Sequence, residues 1–151
     1  MQEIEIREVS AEETRLLRSA ILRPQQPNEE SIYPKDDAPD TLHLGAYLNG
    51  ELVGVASVYN EPPPSETNGD AWRLRGMAIR TDVQRRGCGR ALLERCIDDV
   101  RARGATRLWC NARTTAVGFY QALGFSVQGE EFARDGYPHV MMLRKTGPPA
   151  A

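Results

Sequence analysis

Cysteine and histidine are both scarce in this chain: three cysteines (Cys88, Cys96, Cys110) and two histidines (His43, His139) stand among 151 residues. The cysteines form no CxxC pair and have no metal-ligand spacing to the histidines, so neither a disulfide framework nor a metal centre is expected. They read as reduced, mostly buried thiols of a cytosolic protein. Long hydrophobic runs are also missing. None approaches the ~20 residues that span a bilayer, and Met1-Gln2-Glu3-Ile4-Glu5 lacks the apolar core of a secretion signal. The expectation is a cytoplasmic protein without a membrane partner. There is no internal repeat and no sign of a second domain.

What is present is ordinary globular composition, 40% apolar and 26% charged, in a length that suits one domain. The net charge of −2 hides an uneven distribution. Residues 73 to 113 hold eleven arginines against four acids (Asp82, Glu94, Asp98, Asp99), and the remainder is acidic. A basic middle in an acidic chain suits an anionic ligand and leaves room for a cationic second one. The arginines cluster at one turn, the pI is about 5.7, and no RNA-binding aromatic motif occurs, so no nucleic-acid partner is expected.

Hydrophobic periodicity gives the elements. Residues 3 to 9 alternate as a strand, and Ser10 with Glu13 forms a capping-box signature opening a helix through Leu16, Leu17 and Ile21. Pro24 to Pro39 is polar and proline-rich, a loop expected to lie over the core rather than join it. Two strands, Thr41–Leu48 and Leu52–Tyr59, flank Asn49-Gly50, a strong hairpin signal. Pro62 to Gly69 reads as a surface turn and Trp72 to Ile79 as a strand. Leu93, Cys96, Ile97 and Val100 recur at helical spacing, with Gly104 beyond the helix end. A short strand at Thr106–Cys110, a helix over Thr115–Leu123 capped by Gly124, and strands near Phe125–Gln128 and Val140–Leu143 complete the series. The order β-α-β-β-β-α-β-α-β-β is α+β with a mixed sheet. A single domain over residues 1–146 with a frayed tail at 147–151 is expected.

The chemistry concentrates in Met77-Ala-Ile-Arg-Thr-Asp-Val-Gln84-Arg85-Arg86-Gly87-Cys88-Gly89-Arg90. A strand ends, a polar turn follows, and glycines stand where a helix begins. A helix N-terminus offers unsatisfied N–H groups and the positive end of a dipole. Glycines let that backbone approach a phosphate closely, and the flanking arginines add charge. A Walker loop would need Lys and Ser or Thr after the last glycine, where Arg90-Ala91 stand. A dinucleotide fingerprint would need a small residue at Leu92.

Gln-x-x-Gly-x-Gly after a strand ending Met-Ala-Ile resembles the signature of the GNAT superfamily of acyl-CoA N-acyltransferases. Asn111 followed by Thr115-Ala-Val-Gly-Phe119-Tyr120-Gln-Ala-Leu-Gly-Phe125 resembles that family's second motif, at the family's spacing. The match runs from about Trp72 to Leu143. The resemblance implies a mixed, mostly antiparallel sheet of six to seven strands flanked by three to four helices. It also implies acetyl-CoA as cosubstrate and an amine acceptor. Gln84, Arg85, Arg86, Gly87, Cys88, Gly89 and Arg90 would cradle the coenzyme pyrophosphate. The main chain of Met77, Ala78 and Ile79 would pair with the pantetheine arm and polarise the thioester carbonyl. Asn111 would contact the pantetheine, Phe119 would line its path, and Tyr120 would protonate the leaving thiolate.

Proton removal from the amine has no single candidate. His139, in Gly136-Tyr-Pro-His139 ahead of the last strand, resembles an element of some small bacterial members. His43 and an ordered-water route stand beside it. Cys88, at a helix start, would have a lowered thiol pKa, although its position suits packing better than nucleophilic attack. Acids across the first seventy positions fit a cationic amine or lysine side chain, and fit a solvated surface equally well. The alternative function is a non-catalytic acyl-CoA sensor of the same fold. A homodimer is a further expectation.

Overall fold

The structure, a computed structural model, describes residues 3–22, 24, 31–67 and 69–147. Most of the Pro24–Pro39 loop reading up to residue 30, and most of the tail reading, lie outside these residues. The described residues form seven strands and three α-helices: β1 (Ile4–Glu8), α1 (Ala11–Leu17), β2 (Leu42–Leu48), β3 (Glu51–Tyr59), β4 (Ala71–Ile79), α2 (Cys88–Ala102), β5 (Arg107–Arg113), α3 (Val117–Ala122), β6 (Ser126–Arg134) and β7 (Tyr137–Lys145). The sheet order is β1-β2-β3-β4-β5-β7-β6. The β4–β5 ladder, Ala71–Arg73 against Arg107–Trp109, is parallel, and the β1–β2, β2–β3, β5–β7 and β6–β7 ladders are antiparallel. The α+β order and mostly antiparallel sheet read from the sequence are those observed.

Contacts divide the chain into two units, Met1–Tyr59 with Leu74–Asp98, and Asn60–Arg73 with Asp99–Ala151. In the first, the Ser10 side chain accepts from the Glu13 N–H and the Glu13 carboxylate accepts from the Ser10 N–H, so the expected capping box starts α1. The helix does not run on as one α-helix to Ile21. It loosens into a π-helical turn at Arg18–Leu22, which carries Arg18 into the interior. Asn49 and Gly50 both take positive φ (52° and 80°) and close the β2–β3 hairpin as read. A Cβ on Gly54 would lie 2.6 Å from Ile79 and 3.2 Å from Leu92, so α2 packs on that face of β3. The opposite face carries His43, Ser57 and Tyr59, and meets the loop after α1.

That loop corrects the sequence reading. Ser31, Tyr33 and Asp36 are buried, and Arg18 has no exposed surface at all. Its guanidinium donates to both Asp36 oxygens (2.8 and 3.1 Å), the Ser31 carbonyl, Ser57 Oγ and the Tyr59 hydroxyl. An ion cannot leave water without such partners, so the described end of the loop, from Ser31 to Asp36, is part of the core.

In the second unit, α3 ends with the Phe125 N–H bonded to the Tyr120 carbonyl and the Gly124 N–H to that of Gln121, the paired bonds of a left-handed cap. Trp109 is buried and donates to the Glu61 carbonyl (2.8 Å). Arg107 pairs with Glu66 and Asp70, tying residues 61–70 to β5. The last two strands are far longer than the expected Phe125–Gln128 and Val140–Leu143. They form a hairpin turned at Asp135-Gly136, both with positive φ. β6 is the sheet's edge, exposed along most of its length, with a register break between Gln128 and Phe132.

Candidate functional site

The first unit holds the expected phosphate turn. β4 ends at Ile79, a 3-10 turn covers Thr81–Val83, and α2 starts at Cys88. The Gln84 side chain donates to the Ile79 carbonyl (3.0 Å), and the Arg80 N–H to the Val53 carbonyl (2.8 Å), fixing the strand end against the turn. Arg85 (φ 67°) and Gly87 (φ 91°) are left-handed around Arg86. Alternation of this kind turns successive N–H groups to one side and makes an anion-binding concavity. The Ala91 N–H makes the first helical bond to Gly87, so the N–H groups of Cys88, Gly89 and Arg90 have no partner inside the helix.

Gln84, Arg85, Arg86 and Gly87 are exposed, and Gly89 is half-buried. Arg90 shares its charge with Glu94 one turn on (2.7 Å). Cys88 is 1% exposed, and burial pushes its thiol pKa up against a smaller opposing pull from Arg86. The expected lowering is therefore wrong: the thiol packs beneath the turn, where desolvation outweighs the pull of the Arg86 charge.

Further back on β4, Gly76 has φ 70°. A Cβ there would stand 2.9 Å from Arg18 Nε and 3.0 Å from the Tyr33 ring, so both backbone and neighbours demand glycine. Met77 and Ile79 are half-buried and Ala78 is buried.

The second unit holds the aromatic and imidazole candidates. Tyr120 is 8% exposed, edge-on to Phe119 (5.1 Å) and Phe125 (5.4 Å). Half-buried Asn111 lies opposite Met141 in the β5–β7 ladder, two residues from the Arg113–His139 pair. His139 is not ahead of the last strand but inside it, 8% exposed and stacked on Phe132 (5.8 Å, 24°). Its Nδ1 is 2.9 Å from the Tyr137 carbonyl, which can only accept. In the neutral ring the proton therefore sits on Nδ1, leaving Nε2 as the basic nitrogen.

His43 differs. Its Nε2 donates to the Asp36 carbonyl (2.9 Å), and its Nδ1 accepts from Ser57 (2.6 Å), whose oxygen accepts from Arg18. Both nitrogens are engaged inside the buried cluster, so His43 is structural. Burial alone would raise the Asp36 carboxyl pKa, but hydrogen bonds from Arg18, the Tyr33 N–H and Tyr59 together hold it below the usual range. Burial drives the Tyr59 phenol the other way, well above its usual pKa. No local signal announced this cluster, because Arg18 and Asp36 meet from different elements.

Among the described residues no group of three or more His, Cys, Asp or Glu could hold a metal ion. No helix among them is long and apolar enough to cross a membrane.

Residues 5–146 match the family model described as an acetyltransferase (GNAT) domain. An uncharacterised N-acetyltransferase, YitI of Bacillus subtilis, is 34% identical over 143 residues, covering 95% of this chain and 96% of the relative. Escherichia coli ElaA has a similar fold, with TM-score 0.76 at 21% identity over 94% of this chain and 99% of that one. So does an aminoglycoside 6'-N-acetyltransferase solved with coenzyme A, with TM-score 0.70 at 15% identity over 97% and 99% of the two chains.

Proposed function

The chain belongs to the acetyltransferase (GNAT) family, and on that premise we propose that it transfers an acetyl group from acetyl-CoA to a primary amine by direct attack in a ternary complex. The reading sets this reaction in the cytoplasm, with residues 1–146 acting as one domain. The observation that carries it is the turn from Gln84 to Gly87, whose two left-handed residues lead into the unsatisfied first turn of α2.

In this reading the N–H groups of the turn bind the pyrophosphate, and Arg85 and Arg86 add charge from the exposed side. The main chain of Met77–Ile79 pairs with the pantetheine, and one of its N–H groups polarises the thioester carbonyl. Asn111 and Phe119 hold the arm. The amine nitrogen bonds to the carbonyl carbon, its proton passes to Nε2 of His139, and the carbon–sulfur bond breaks. Tyr120 gives its proton to the departing thiolate. A phenol of pKa about 10 can protonate a thiolate whose conjugate acid lies near 8.5.

Acetyl-CoA should raise the melting temperature by mass action, and thiol release should depend on an added amine. Tyr120→Phe keeps the ring and deletes the hydroxyl. It should lower kcat by roughly 10²-fold with little change in acetyl-CoA affinity. Equal single-turnover rates for the two proteins would return Tyr120 to a packing role, and binding of acetyl-CoA without turnover on any amine of a broad panel would leave only the sensor reading.

A further inference from the structure

The register break in β6 decides which side chain lies against His139. Before the break the last two strands pair evenly, Ser126 with Leu143 and Gln128 with Met141. Continued in that register, β6 would bring Glu130 opposite His139. Instead β6 advances four positions, from Gln128 to Phe132, while β7 advances two, from Met141 to His139. The two extra residues form a bulge that includes Gly129 at φ 78°. Phe132 thereby becomes the cross-strand neighbour of His139.

The exchange of a carboxylate for a phenyl ring matters to the imidazole. Its Nδ1 bonds to the Tyr137 carbonyl (2.9 Å), and Nε2 has no partner among the described residues. A glutamate opposite the ring would draw a proton onto Nε2, the nitrogen that a base must keep bare. A phenyl ring offers neither charge nor lone pair. The Phe132 ring lies nearly parallel to the imidazole, with centroids 5.8 Å apart at 24°, in the range of offset-stacked pairs. The torsion that turns an imidazole about its Cβ–Cγ bond is soft, so one hydrogen bond at Nδ1 lets the ring rock. A second ring against its face opposes that motion. The edge bond is braced as well. Arg113 pairs with His139 in the β5–β7 ladder, and its guanidinium carbon stands 4.0 Å from the centroid of the Tyr137 ring.

We propose that Phe132 is a positioning residue for acetyl transfer, whose ring fixes the plane of the His139 imidazole and leaves Nε2 open to the amine. The bulge in β6 puts it there in place of Glu130. This rests on the reading of His139 as the base and names what aims it.

The test is a double-mutant cycle between Phe132 and His139, with acetyl-CoA as donor. The acceptor is whichever primary amine of a broad panel the wild type turns over fastest. His139→Gln should lower the single-turnover rate by roughly 10²-fold, the scale of general base catalysis. Phe132→Leu should lower it by about tenfold through aim alone, with the amine KM and acetyl-CoA affinity unchanged. Phe132→Tyr should restore the rate, and Phe132→Leu should cost nothing further once His139 is glutamine. In imidazole NMR of the unliganded protein, Phe132→Leu should move the His139 ring signals and leave those of His43 in place. Unmoved His139 signals overturn the proposal whatever the activity. So does a wild-type rate in Phe132→Leu, a loss carried by KM alone, or the same fractional loss with and without His139. A wild-type rate in His139→Gln would instead defeat the base reading, and this proposal with it.

Discussion

The first unit uses arginine in two opposite ways. Arg18 has no exposed surface and donates to five oxygens, whereas Arg85 and Arg86 are exposed on a turn with two left-handed residues that leads into the first turn of α2. One cation completes a closed network and the others border an open one. Charge alone therefore says little about ligand binding. What separates the two here is burial: Arg18 needs a partner for each of its donors, whereas an exposed arginine keeps contact with water.

The comparison can be broken at the closed end first. Asp36→Ala leaves Arg18 buried without its counter-ion and should cost about 3–5 kcal/mol in urea unfolding. Loss below 1 kcal/mol would mean that water reaches the cluster. The effect has a pH signature. Because the Asp36 pKa is lowered in the folded state, its contribution is complete above about pH 4, where an unfolded aspartate is ionised. It fades as pH falls through the folded value, since the unfolded chain takes up the proton first. Wild type and Asp36→Asn should accordingly converge in stability as the medium is acidified, and diverge fully at neutrality.

At the open end, Gly87→Val forces a β-branched residue to φ 91°. The space beside it is ordinary, 3.6 Å to Ile4, so the cost is backbone strain of about 1–3 kcal/mol. Acetyl-CoA affinity should fall more than stability does, because the turn's N–H groups lose their alignment. Unchanged affinity in calorimetry would remove the turn from the binding site. The smallest effect is expected for Arg85→Ala, a loss of a few-fold in acetyl-CoA affinity that shrinks in high salt while the unliganded melting temperature holds.

Local signals served the sequence reading well wherever the structure is locally determined. The Ser10–Glu13 box, Asn49-Gly50, and the glycines after α2 and α3 each act within a few residues, and each was legible. The hairpin of β6 and β7 was not. Gly129, Glu130 and Glu131 interrupt any alternation because β6 is exposed on an edge, so burial imposes no pattern on it. Asp135-Gly136, where both residues take positive φ, is the one local mark of that turn. The Arg18–Asp36 cluster was illegible for another reason: its members come from α1's end, a proline-rich loop and two strands, and only the fold brings them together. At the candidate site the phosphate turn could be found from glycine spacing. The place of His139 inside β7, stacked on Phe132, could not, because it depends on the pairing of two strands whose length no pattern marked.

The interruption in β6 bears on how the chain behaves in a crowd. An edge strand offers a ladder of unpaired N–H and C=O groups to any extended segment that drifts past, including nascent copies of itself. Here the ladder is broken between Gln128 and Phe132, and the break carries Gly129 and two consecutive glutamates. A visiting strand would have to bend with it and accept two negative charges. The same irregularity that hid the strand from pattern reading thus makes this edge of the sheet a poor template for a visiting strand.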